Sequence, residues 1–138
     1  MKSLLFTKDF GILVLRVGIG IMFILHGLPK LMGGPTAWEK LAQFGLPFLP
    51  EGILAMIFGL SAAIAEGVGG LFLILGLYHR ITCLALAATM AVALSTKLGG
   101  VTGFADFAKT AGWPLELLIV FIALFFMGAG RLKIGKTD

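Results

Sequence analysis

The sequence predicts an all-α integral membrane protein, built as a four-helix bundle of two helical hairpins with short interfacial helices in the outer loops. The first observation is composition: 59% of the 138 residues are hydrophobic and only 13% are charged. Soluble domains average about 25% charged residues. The second is the mean hydropathy of +1.05, which arises from apolar runs that approach the ~20 residues needed to cross a bilayer.

Four spans are expected within a single domain, 1–138. They cover about residues 10–32, 53–77, 81–96 and 114–130. The third and fourth are short for a bilayer, so we expect them to tilt less than the others.

Basic residues indicate the orientation. With four spans, one side of the membrane receives six of them: Lys2, Lys8, Arg80, Arg131, Lys133 and Lys136. The other side receives four: Lys30, Lys40, Lys97 and Lys109. Cytoplasmic loops carry an excess of Lys and Arg, so both termini are predicted to be cytoplasmic in the cell (inner) membrane. The net charge of +4 follows from these flanking residues and does not indicate nucleic-acid binding.

The two outer loops predict short helices at the membrane surface. Pro35–Gly45 has a helix-starting proline, a closing glycine and an apolar side. The stretch 99–114 has a similar pattern. KLMGGPTAW, from Lys30, also aligns with KLGGVTGF, from Lys97, which suggests that spans 1–2 and 3–4 are a tandem repeat. Both lysines, with Trp38 and Trp113, then border the outer mouth of the bundle.

The first span carries an ionisable stripe. At about 100° per residue, Arg16, His26 and Lys30 fall within a quarter turn of the helix. Ionisable side chains within a membrane usually face the protein interior and mark a site or a pathway. Pro29 also removes a backbone hydrogen bond one turn from His26.

Glu66, near the middle of the second span, is the most informative single residue. Small side chains surround it on its helix face, so it should face packed protein. If the first two spans are antiparallel with level ends, Arg16 is close enough in depth to be its partner. This Arg16–Glu66 pair could simply fix helix packing, or its carboxylate could handle a proton or a polar ligand.

Each of the other polar residues also has a structural interpretation. Lys30 could extend to the membrane surface, and Glu116 could stabilise the start of the fourth span. His26 could bond to a carbonyl freed by Pro29. Together with Arg16 and Glu66, however, they predict a partly buried polar pocket that opens outward. No metal site is predicted, no residue is assigned as catalytic, and the single cysteine, Cys83, excludes a CxxC pair.

At these positions the chain resembles the DoxX family of small four-helix membrane proteins. The resemblance lies in Leu15-Arg16, in HGLPKL from His26, and in Glu66-Gly67-Val68-Gly69-Gly70. It continues in Leu75-Gly76-Leu77 with Arg80, in Glu116, and in Gly128-Ala129-Gly130-Arg131. Relatives in this family include a membrane subunit of an archaeal thiosulfate:quinone oxidoreductase and a membrane partner of a superoxide dismutase and a sulfurtransferase. The resemblance thus implies a membrane subunit of a redox complex that binds a quinone or a small sulfur compound.

Three functions remain open from the sequence. In the first, His26 bonds to a quinone, Glu66 carries the proton, and soluble redox enzymes are the partners. In the second, the protein is an anchor or scaffold for soluble proteins. In the third, it is a small carrier for an anionic or polar solute, with Lys30 and Lys97 as a cationic mouth. Four spans are few for a carrier, so this function would require a homodimer.

Overall fold

The computed structural model describes residues 7–135, and this part of the chain is all-α and has no strand. Its six helices are α1 (Lys8–Met32), α2 (Pro35–Gly45), α3 (Ile53–Leu75), α4 (His79–Leu98), α5 (Phe104–Thr110) and α6 (Gly112–Met127). Three of them, α1, α3 and α4, are long and apolar enough to cross a membrane. Helices α5 and α6 pass that test only together, and they are bent by 58° at their junction.

Helix α1 starts where its sequence offers a cap. The Thr7 hydroxyl accepts a hydrogen bond from the Phe10 amide at 3.3 Å, and Asp9 lies in the first turn, where a carboxylate stabilises the helix dipole. The helix continues through Pro29 and ends at Met32. The ionisable stripe is therefore carried by one continuous helix.

The short helix α2 occupies the predicted range Pro35–Gly45. It lies against α3 at Gly59, where a side-chain Cβ would collide with the Trp38 carbonyl. Ala42 on its apolar side is buried, whereas Phe44 is exposed. The second outer-loop helix, α5, is only seven residues long.

Helices α1 and α3 pack at unusually close range. A Cβ on Gly27 would overlap the backbone of Gly67, and a Cβ on Gly70 would lie 2.7 Å from the Gly20 carbonyl. Small residues permit such close approach between membrane helices. These contacts run in opposite chain directions, so the two helices are antiparallel and their register is fixed by glycine.

The apolar core joins α1, α3, α4 and α6. The Phe23 ring meets the Phe121 ring edge-on, with centroids 5.2 Å apart, and Leu73, Leu86 and Leu124 are fully buried around them. Many large apolar side chains point outward on the same helices, as expected when lipid rather than water surrounds the protein.

After α6 the chain folds back onto the start of α1 and the end of α3. The Arg131 amide donates to the Asp9 carboxylate at 3.0 Å, and the Ile134 amide donates to the Leu75 carbonyl at 3.0 Å. Two residues used for the predicted orientation, Lys2 and Lys136, lie outside the described residues.

Candidate functional site

A partly buried ion pair between Lys30 and Glu66 is the centre of the site. Lys30 Nζ lies 2.5 Å from Glu66 Oε2, and the two side chains are 35% and 6% exposed, respectively. A buried carboxylate is costly unless it is paired. Lys30 supplies that pairing and reaches inward rather than only towards the membrane surface.

The glycine contacts bring these two residues together. Because Gly27 packs on Gly67, the last turn of α1 lies beside the middle of α3. Trp38 on α2 reinforces this end of α1 by donating its indole N–H to the Lys30 carbonyl at 2.9 Å. Lys30 is thus positioned by three helices.

The predicted Arg16–Glu66 pair is wrong. Arg16 is buried and donates to the carbonyls of Leu73, Ile74, Ala129 and Leu132 at 2.7–2.9 Å. The prediction assumed level helix ends, but the observed register places Gly27, not Arg16, at the depth of Glu66. Arg16 lies roughly 16 Å from Gly27, towards the start of α1.

His26 lies one turn before Lys30, with one ring nitrogen fixed. Nδ1 is 2.7 Å from the Met22 carbonyl, and since a carbonyl can only accept, Nδ1 carries the hydrogen. In the neutral ring this leaves Nε2 as an acceptor. The partner carbonyl is that of Met22, one turn earlier in the helix, and not the Leu25 carbonyl freed by Pro29.

A cavity of about 510 Å³, here called the His26 cavity, lies between α1, α4 and α6. Its polar lining residues are His26, which is exposed, Lys30 and Glu66. Its walls are mostly apolar and include Met22, Phe23, Met90, Trp113 and Leu117. Most ligand sites in proteins have this composition: a largely apolar volume with a few polar groups that fix orientation.

A second cavity of about 650 Å³, here called the Lys97 cavity, lies between α2, α3 and α4. It shares Lys30, Glu66 and Trp113 with the His26 cavity and adds Lys97 near the end of α4. The ion pair therefore lines both cavities.

Some of the other predicted site residues line the two cavities, and others do not. Lys97 lines one cavity and Trp113 lines both, while Trp38 supports Lys30 from α2. Glu116 is exposed on α6 and lines neither cavity. The structure thus brings together His26, Lys30, Glu66, Lys97 and Trp113, and it leaves out Arg16 and Glu116.

Sequence reasoning missed two features. It gave no role to His79, but this residue is buried and its Nε2 donates to the Leu124 carbonyl at 2.9 Å, joining α4 to α6. It also missed the Lys30–Glu66 pair, which the glycines flanking each residue could have indicated. Within residues 7–135 no group of three His, Cys, Asp or Glu side chains is placed to hold a metal ion.

In a comparison with protein families, a family model matches residues 11–97. The matching model is that of DoxX, and its range includes Arg16, His26, Lys30, Glu66 and Lys97.

The chain belongs to the DoxX family. Its relatives include a Bacillus subtilis protein named "Putative oxidoreductase CatD", which is 31% identical over 91% of this chain and 85% of its own length. An uncharacterized protein of Haemophilus influenzae is 31% identical over 94% of this chain and 92% of its own. The Mycobacterium tuberculosis protein named "Uncharacterized membrane protein Rv3486" is 28% identical over 91% of this chain and 80% of its own. No solved structure matches this DoxX protein significantly.

Proposed function

We propose that this DoxX protein is a membrane subunit of a redox complex and that it binds a quinone in the His26 cavity. The observation that carries the proposal is a partly buried ion pair, Lys30–Glu66, that lines a mostly apolar cavity together with His26. The name of the Bacillus subtilis relative, which includes the word oxidoreductase, supports the same class of function.

The residues of the cavity fit a quinone. A quinone headgroup is flat and apolar, with two carbonyl oxygens, and its tail is hydrocarbon. Met22, Phe23, Met90 and Leu117 supply apolar walls, to which the ring and tail are suited. The cavity volume of about 510 Å³ lies within the usual range for small-molecule sites.

His26 is the proposed proton-handling residue. Its Nδ1–H is held by the Met22 carbonyl, so exchange takes place at Nε2. When neutral, Nε2 can accept a proton from a quinol hydroxyl, and when protonated it can donate to a quinone carbonyl. Glu66 and Lys30 then provide the next proton acceptor and a fixed positive charge.

The proposal includes a location and a partner. We place the protein in the cytoplasmic (inner) membrane as a four-span bundle, with α5 and α6 together as the fourth span and both termini in the cytoplasm. Electrons would be exchanged with a soluble redox enzyme, because a chain with one cysteine has no dithiol of its own.

The test is to purify the protein in a mild uncharged detergent, extract it with solvent and measure quinone per chain. We expect up to one quinone per chain in the wild type and a loss of most of it in His26→Leu. Two controls should retain it: Glu116→Gln, which lines neither cavity, and Lys97→Gln, which lines only the other one. Wild-type quinone content in a folded His26→Leu protein would contradict the proposal.

A further inference from the structure

The Lys97 cavity has an excess positive charge that the quinone proposal does not use. Two ammonium groups, Lys30 and Lys97, and one carboxylate, Glu66, line it. Lys30 is paired with Glu66 at 2.5 Å, whereas Lys97 forms no ion pair with any of the residues described between 7 and 135. One positive charge is therefore available to an anion.

Lys97 lies at one end of the wall that α4 contributes to this cavity, and the Lys30–Glu66 pair also lines the cavity. Lys97 and Thr96 line it near the end of α4, and Ala85 lines it three turns earlier, roughly 18 Å along the helix. The intervening wall on α3 and α4 is largely alanine, including Ala62, Ala65 and Ala88. This wall therefore gives an alkyl chain an apolar surface that begins beside Lys97.

The threonine hydroxyl groups that line the cavity do not require an acceptor on the ligand. Thr89 and Thr96 donate their hydroxyl hydrogens to the carbonyls of Ala85 and Val92 at 2.9 and 3.0 Å. The hydrogen-bond donors of both hydroxyls are thereby satisfied within α4, and this part of the cavity wall can contact a hydrocarbon chain. Lys97 remains as the group that selects the ligand.

We infer that the Lys97 cavity binds a single-chain amphiphile with a carboxylate headgroup, which pairs with Lys97 while its alkyl chain lies along the alanine wall. A singly charged carboxylate matches the one unpaired ammonium group, whereas a dianionic phosphate would call for further basic donors. The two cavities share Lys30, Glu66 and Trp113, but the carboxylate contact is distinct from the proposed quinone contact, since Lys97 lines only the Lys97 cavity and His26 only the His26 cavity.

The experiment measures binding of dodecanoate to the full-length protein in an uncharged maltoside detergent by native mass spectrometry. Dodecanol, with the same chain and no charge, is the matched ligand control. We expect one dodecanoate per chain, about tenfold weaker binding in Lys97→Gln through loss of the charge-assisted contact, and a similar loss in Ala88→Leu, which narrows the alkyl end without changing charge. Lys109→Gln, an exposed lysine on α5 that does not line the cavity, should bind as the wild type does.

Several results would overturn the inference. Unchanged dodecanoate binding in Lys97→Gln, equal binding of dodecanol, or no binding would each reject a carboxylate site at Lys97. Tighter binding of dodecyl phosphate would reassign the site to phosphate-bearing lipids. The same variants test this inference independently of the proposed quinone function. His26→Leu should lose quinone and keep dodecanoate, and Lys97→Gln should lose dodecanoate and keep quinone.

Discussion

Arg16 closes one end of the bundle through hydrogen bonds to main-chain carbonyls. Two of its partners, Leu73 and Ile74, lie in the last turn of α3, and two, Ala129 and Leu132, follow α6. Gly76 makes room for the guanidinium, because a Cβ there would lie 2.7 Å from Arg16 Nη2. The buried charge is thus balanced by carbonyl dipoles, which supports a structural role for Arg16.

Replacing Arg16 by lysine should destabilise the protein by about 2–4 kcal/mol, since lysine lacks the planar fork and leaves buried carbonyls unpaired. Thermal unfolding in detergent measures the loss, and proteolysis after Met127 should become faster as the returning chain loosens. Arg131→Lys is the matched control: its side chain is 92% exposed, so its unfolding midpoint should stay within a degree or two. Equal stability of the two variants would refute the structural role of Arg16.

The Lys30–Glu66 pair should respond asymmetrically to mutation. Lys30→Met leaves the buried Glu66 carboxylate without its cation, whereas Glu66→Gln leaves a lysine that is already 35% exposed and can turn outward. We expect Lys30→Met to cost about 2 kcal/mol more than Glu66→Gln.

The double variant Lys30→Met/Glu66→Gln completes the cycle and should recover part of the loss, because it buries no unpaired charge. Unfolding midpoints of all four proteins give the comparison. If the two single variants were equally stable and their effects additive, the pair would have no energetic role.

From the sequence, the burial of individual polar side chains could be predicted better than the contacts between them. Glu66 does face packed protein, as the surrounding small residues indicated. Its partner could not be inferred from depth, because the stagger between α1 and α3 is decided by three-dimensional packing at Gly27 and Gly67. Glu116 shows the same limitation, since helical spacing alone does not reveal which way a surface residue on α6 faces.

At the scale of elements, the contact between α1 and α3 sets the geometry of the site. Gly27 allows α1 to approach the backbone of α3 at Gly67, and this approach holds Lys30 within reach of Glu66. An added methyl group at Gly27 must push the helices apart, because the obstructing atoms are backbone atoms.

Gly27→Ala should therefore destabilise the protein by more than about 1 kcal/mol, although alanine is intrinsically the better helix former by about that amount. Gly11→Ala is the control on the same helix: its Cβ would have no neighbour within 4 Å, so helix propensity alone should leave stability unchanged or slightly higher. Circular dichroism melts of both variants test this. A Gly27→Ala protein as stable as Gly11→Ala would show that the close packing is not required.

The last helix is shorter than an average span. The sequence predicted a fourth span over about residues 114–130, but α6 runs from Gly112 to Met127, and Gly128 follows with a φ of +75°. Sixteen residues rise roughly 24 Å, less than the ~30 Å hydrocarbon core. The glycine ends the helix and turns the chain back towards Asp9, which requires tertiary contacts that local propensity does not report.

At the scale of the whole molecule, the two halves share one order of elements: long helix, short helix, long helix. Lys30 and Lys97 each lie in the last turn of the first long helix of a half, as the alignment of KLMGGPTAW with KLGGVTGF suggested. The halves differ in detail, since α2 has 11 residues and α5 has seven. Both lysines line the Lys97 cavity, so the two aligned positions contribute to one cavity.

This arrangement predicts that α5 and α6 complete a fourth crossing and that both chain ends face the cytoplasm. In a Cys83→Ser background, single cysteines at Thr102 and Ile134 report the two sides with a membrane-impermeant maleimide. Thr102→Cys, between α4 and α5, should react in intact spheroplasts, whereas Ile134→Cys should react only after permeabilisation. Leu25→Cys, on the outward apolar face of α1, should resist labelling in both and serves as the buried-in-lipid control. Labelling of Ile134→Cys in intact spheroplasts would mean that the bent α5–α6 pair does not cross, because an odd number of spans places the chain ends on opposite sides.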